Sequence, residues 1–170
     1  MGERVLVSIL MGSDSDWPIM AETGKVLERF KVPHEFFLSS AHRSPERTIT
    51  YAREAAGRGI KVIIAGAGSA AHLAGVIASH TCLPVIGVPL DSSPLHGFDA
   101  LLSTVQMPAG VPVATMAVGK GGAKNAALFS VRILALEDER LRRELEDYVR
   151  EMASEVEAKH ISLMGRKGQS

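Results

Sequence analysis

The stretch Ser39-Ser40-Ala41-His42-Arg43-Ser44-Pro45 sets a proton carrier beside a fixed cation. Imidazole takes up and releases protons near neutral pH, while guanidinium stays charged and offers a planar fork to phosphate or carboxylate. Two other stretches hold residue types suited to a ligand. Gly12-Ser13-Asp14-Ser15-Asp16 offers hydroxyls and backbone N–H groups to a phosphate, and carboxylates to sugar hydroxyls. Helix capping accounts for one such residue, but not for two serines and two aspartates in a row. Gly66-Ala67-Gly68-Ser69-Ala70-Ala71-His72 is a run of small residues that lets a ligand approach the backbone, and it ends in a second imidazole.

Each of these stretches follows a strand-like run and precedes a helix-like one. Val5 to Met11 is nearly continuous in apolar residues, the pattern of a parallel strand covered on both faces. Glu35 to Leu38, Lys61 to Ala65, Pro84 to Pro89 and Val111 to Ala117 supply four more strands. Between them, Trp17, Met20, Gly24 and Leu27 fall at helical spacing, with Gly24 permitting close packing on a sheet. Ser44 and Pro45 read as N-cap and first helical residue of a helix that stops at Gly57-Arg58-Gly59. A short helix around Val76 and Ile77, one from Gly97 to Val105 and an alanine-rich one ending near Leu136 complete the alternation.

Strands alternating with helices predict right-handed crossovers and an α/β, flavodoxin-like three-layer sandwich, with a five-stranded parallel sheet in the order 2-1-3-4-5. Strands 2, 1 and 3 are then neighbours. The turns holding His42, Ser13/Asp16 and Gly68/His72 share one rim, at the switch point where such sheets bind ligands. An extra C-terminal helix follows, with Leu141, Leu145, Tyr148, Val149, Met152 and Val156 in one stripe that covers its own sheet or reaches another subunit. Residues 1–160 are expected to form a single domain and 161–170 a loose tail.

Composition excludes several classes. Of 170 residues, 46% are hydrophobic, and Lys+Arg and Asp+Glu balance at 19 each, so no global field draws the chain to nucleic acid or an anionic membrane. No signal-peptide pattern or membrane-length apolar run is present, and the cytoplasm is the expected compartment. Cys82 is the one cysteine, which rules out an internal disulfide and a thiolate cluster; its size and type suggest burial before the fourth strand. His34, His80, His96 and His160 read as structural or surface residues, and Lys124-Asn125 as packing and solvent contacts. Gly66-x-Gly68-x-x-Ala71 with Asp91 matches a dinucleotide fingerprint, but on the third unit and before a short helix. Gly119 to Gly122 lacks the P-loop spacing.

Met11 to Asp16, Ser40 to Pro45, Ala65 to Leu73 and Gln106-Met107-Pro108-Ala109-Gly110-Val111-Pro112, in this order and spacing, resemble the class I N5-carboxyaminoimidazole ribonucleotide mutase family of purine biosynthesis. The resemblance implies a homo-octamer that shifts a carboxylate on a phosphorylated ribonucleotide with no metal, nucleotide triphosphate or redox cofactor. It also implies functional pairing with the ATP-dependent synthetase that makes the substrate. Residue by residue, it implies His42 as acid/base, Ser13, Asp16 and Arg43 as substrate ligands with Ser40 beside them, and Gly68, Ser69, Ala70 and His72 along the carboxylate end. Ser69 and Ala74 depart from a usual glycine and proline. A class II carboxylase using free carbon dioxide is the alternative within this chemistry, although it usually has lysine where Arg43 stands and lacks the third loop. A non-catalytic nucleotide-binding module is the alternative outside it.

Overall fold

The computed structural model describes residues 4–167. Strand β1 (Val7–Met11) is buried along its whole length, which explains a sequence without alternation. It lies between β2 (His34–Leu38) and β3 (Val62–Gly68), with β4 (Val85–Leu90) and β5 (Ala114–Thr115) beyond, giving the all-parallel order β2-β1-β3-β4-β5. This is the expected order. β5 is shorter than its apolar run because Pro112 has no N–H to donate and Val111 N–H bonds locally to Pro108 O. β3 is longer than expected and carries both Gly66 and Gly68 inside the strand. The glycine run is therefore no dinucleotide turn.

Helices cover both faces of the sheet. Tyr51, Ala52 and Ala55 of α2 (Pro45–Arg58) and Leu73, Ala74 and Ile77 of α3 (Leu73–Ala78) form one cluster with Leu10, Ile63, Ala65 and Val85. On the same face Thr104 of α4 (Phe98–Val105) closes on Gly87. The other face receives α1 (Trp17–Arg29), whose Met20 Sδ lies 2.3 Å from where a Cβ on Gly66 would fall. α1 is tied to α5 (Lys120–Leu134) by Thr23 Oγ1 donating to Ala123 O and by a Glu22–Lys124 ion pair. Ile9, Leu10, Ile63, Ile64 and Ile86 are fully buried, each contributing about 1.5–3 kcal/mol. Gly24 does admit close approach, since a Cβ there would meet Phe36 at 2.7 Å. Trp17, placed in the same stripe, is instead half exposed and lies tilted against Phe36, because the strand it meets, β2, is the edge of the sheet.

A buried polar network anchors α2. The fully buried Ser8 hydroxyl shares a hydrogen bond with Tyr51 OH, which donates to Glu35, and Arg58 Nη2 donates to both Glu35 oxygens at 2.7 Å. Burial, reinforced by Glu35, pushes the Tyr51 phenol up to about 12, so it remains a donor. Gly59, at φ 100, ends the helix in the left-handed conformation that glycine adopts without strain.

Backbone contacts divide the chain into two compact units with the boundary between Ser130 and Val131, inside α5. In the second unit α6 (Glu139–Lys167) is capped by Asp138 Oδ1, which accepts from Arg140 N and Leu141 N. Leu141 is buried, whereas Val149, Met152 and Val156 are exposed. Helix continues through residues 161–167, where a loose tail was expected: Ile161 to Met164 are acceptable helix formers and no proline interrupts them. The last three positions of that tail lie outside the described residues.

Candidate active site

The first wall of the site is the turn after β1. Gly12 N–H bonds to Gly66 O, and Ser13 caps a 3-10 turn over Asp14–Asp16. Its Oγ accepts from Ser15 N at 3.3 Å, while Asp16 Oδ2 accepts from Ser13 N at 2.9 Å. Asp16 is buried, and desolvation raises its pKa from the ordinary aspartate value, opposed by the Ser13 and Gly12 N–H groups and by Arg43.

The second wall is the turn from β2 into α2, held from below by hydroxyls. Buried Ser39 Oγ lies 2.7 Å from Thr48 Oγ1, which in turn donates to Ser44 O. Ser44 occupies the N-cap position but makes no cap bond. Its hydroxyl closes the turn instead, accepting from Ser40 N and donating to Ser40 O, both at 3.1 Å. Above this support, Ser40 Oγ accepts from Arg43 N, and Arg43 Nη2 donates to Gly12 O at 3.0 Å. The cation thus reaches back over the first turn because β1 and β2 are neighbours.

The third wall is the turn after β3. Ser69 adopts φ 52, a left-handed conformation that costs an L-residue about 1–2 kcal/mol, at the position where the sequence resemblance expects glycine. His72 Nδ1 lies 2.8 Å from His42 Nε2, with the rings nearly perpendicular at 82°. This hydrogen bond spans the turns after β2 and β3 and holds one nitrogen of each ring, leaving His42 Nδ1 and His72 Nε2 free of that contact.

The structure gathers these side chains around one cavity of about 420 Å³. Ser13, Asp16, Ser40, His42, Arg43, Gly68, Ser69, Ala70 and His72 all line it. A recess of about 330 Å³ continues past Arg43 to Arg47, whose guanidinium lies over the Phe37 ring at 4.6 Å. Ser92, from the loop after β4, also lines the main cavity and was missed in the sequence, where Asp91 drew attention as a ribose ligand of a false fingerprint. The adjacency of β3 and β4 was the signal that could have found it. Among the described residues no three His, Cys, Asp or Glu side chains gather as metal ligands, and no helix is long and apolar enough to cross a membrane. Cys82 is exposed, contrary to expectation, because it sits in the turn before β4, where Leu83 N–H bonds to Thr81 Oγ1.

The cavity is chemically polarised. A guanidinium and hydroxyls stand at the first and second turns, and a linked imidazole pair stands at the second and third. The family model described as AIR carboxylase matches residues 6–155. The chain belongs to the AIR carboxylase family. It is 54% identical to a Pyrococcus horikoshii protein named N5-carboxyaminoimidazole ribonucleotide mutase, across 96% of this chain and 92% of that one. It is 55% identical to a Bacillus subtilis protein of the same name, across 84% and 88%. Among solved structures, Treponema denticola PurE superposes with a TM-score of 0.81 at 28% identity, across 90% of this chain and 94% of that one. Membership of the AIR carboxylase family fits a sheet whose ligand-facing turns carry a cation and an imidazole side by side.

Proposed function

We propose that the chain is an N5-carboxyaminoimidazole ribonucleotide mutase, interconverting that compound with 4-carboxy-5-aminoimidazole ribonucleotide in purine biosynthesis. The observation that carries this reading is the opposed orientation of neighbours: Arg43 bonds to the Ser13 turn while His42 bonds to the His72 turn. One ligand can therefore lay an anionic group on one side and its reacting ring on the other. Arg43, with Ser13 and Ser40, holds the phosphate, and Asp16 accepts from ribose hydroxyls. Gly68, Ser69, Ala70 and His72 flank the carboxylate.

His42 then cycles one proton. As imidazolium it delivers that proton to the carbamate nitrogen as the N–C bond breaks, releasing carbon dioxide and an electron-rich aminoimidazole. The ring carbon attacks the trapped carbon dioxide, and the tetrahedral carbon that forms returns its proton to His42 as aromaticity is restored. Atoms and charge balance over the cycle. His72 orients the His42 ring through their shared hydrogen bond. Water exclusion matters because escaped carbon dioxide ends the reaction.

Support for a homo-octamer comes from the family resemblance and from apolar side chains exposed along α4, namely Leu95 just before it, then Phe98, Leu102 and Val105. A cytoplasmic site and functional pairing with the synthetase that makes the unstable substrate belong to the same reading. The test is isotopic. Substrate labelled in its carboxylate should isomerise without bicarbonate, metal, ATP or nicotinamide, and should keep its label against excess unlabelled bicarbonate. Complete washout would identify a carboxylase working from free carbon dioxide, and absence of conversion would leave only a nucleotide-binding module.

A further inference from the structure

We infer that Ser92 is a further substrate-binding residue, whose hydroxyl holds the carboxylate that migrates. The inference rests on the mutase reading for the identity of the ligand, and on the backbone for its geometry. β4 runs parallel to β3 with Gly68 paired to Leu90, so the chain leaving β4 emerges beside Gly68. Ser92 then leans over that glycine. A Cβ built on Gly68 would fall 1.6 Å from Ser92 Oγ, 2.9 Å from Ser92 Cβ and 3.4 Å from Leu90 O. The hydroxyl thus occupies the space of the side chain that Gly68 lacks, and any larger residue at 68 would evict it.

The rest of the loop fixes this placement. Ser93 is committed inside the loop: its Oγ donates to Asp99 Oδ1 at 2.9 Å and accepts from Leu95 N at 3.1 Å. Gly97, at φ 79, folds the loop back so tightly that a Cβ there would lie 3.4 Å from Asp91 Cα. With one serine spent on the loop and the backbone closed behind it, the other lines the cavity at the end walled by Gly68 and Ser69. That end is supplied by the turn after β3, whereas Arg43 and its partner Gly12 lie on the turns after β2 and β1. A neutral O–H donor suits a carboxylate that must be held yet released as carbon dioxide, since a cation in the same place would oppose its decarboxylation.

The test compares two ligands on two variants. By calorimetry, Ser92→Ala should weaken 4-carboxy-5-aminoimidazole ribonucleotide roughly tenfold, as expected for one lost hydrogen bond to a charged group, and leave 5-aminoimidazole ribonucleotide within twofold. Ser92→Thr keeps the hydroxyl and should keep the preference for the carboxylated ligand. Equal weakening of both ligands, or no weakening of either, would overturn the assignment. Turnover of labelled substrate by the unmodified protein runs alongside. Its failure counts against the mutase reading, while the ligand pair still decides what Ser92 contacts.

Discussion

Replacing Arg43 with alanine removes the one guanidinium that bonds across two walls of the site. In the free protein it already spends Nη2 on Gly12 O at 3.0 Å and Nε on Ser40 Oγ at 3.5 Å, which aims the rest of its fork at the cavity. One or two charge-assisted bonds to a phosphate are worth about 2–4 kcal/mol. Arg43 is exposed, so solvent screening places the expectation at the lower end, about 2 kcal/mol or about 30-fold in Kd. Calorimetric titration of Arg43→Ala with 5-aminoimidazole ribonucleotide and with its dephosphorylated nucleoside should show that loss for the nucleotide alone. The loss should shrink at high salt, because the interaction is between charges open to solvent. Arg43→Lys should recover part of it, since the charge remains but the planar fork does not. Equal weakening of nucleotide and nucleoside would place the phosphate elsewhere and refute the reading of this end of the cavity.

His42→Asn should abolish turnover by at least about a hundredfold while ligand binding stays within tenfold, because an amide keeps polar contacts but cannot cycle a proton; a comparable loss of binding would make His42 a ligand. Asp16 yields a pH prediction. Its folded-state pKa is raised, so the folded chain binds that proton more tightly than the unfolded one, and the favourable contribution is full below the ordinary aspartate range, about 4, and lost as pH rises through the folded value. Asp16→Asn, which can still accept from Ser13 N, should therefore raise the unfolding midpoint at neutral pH, with the gain vanishing in acid, and should weaken ribonucleotide binding; a variant less stable than the parent at pH 7 contradicts this. Light scattering at micromolar concentration should report an oligomer, and a stable monomer would reject the octamer.

Much of this was legible in the chain because local chemistry and topology agree. Apolar runs and turn residues located all five strands, and the 2-1-3-4-5 order alone implied that His42, Ser13 and His72 would share a rim. What escaped depended on distant neighbours. Cys82 looked like core by type, but exposure is decided by the turn it occupies. Trp17 fits a helical stripe, yet it meets only Phe36 of the edge strand and stays half exposed, and an apolar period cannot say where the sheet ends. Ser44 was read as a capping hydroxyl, whereas Ser40 and Ser39 recruit that hydroxyl into the turn. Ser92 has no local signature at all, since its placement depends on the absence of a side chain on a different strand.

The position of β1 between β2 and β3 bears on how the protein matures. The cavity is lined from four turns spread between Gly12 and Ser92, and the pairing of Val7 with Val62 must close before the first and third of them meet. Such long-range parallel pairing forms slowly relative to local helices, so ligand affinity arrives only with the finished sheet. A ligand that recognises only that state also holds it: at a hundred times its Kd it adds about 2.7 kcal/mol to the folded form. The unfolding midpoint of the protein should therefore climb with nucleotide concentration, so that the compound it works on also guards its fold.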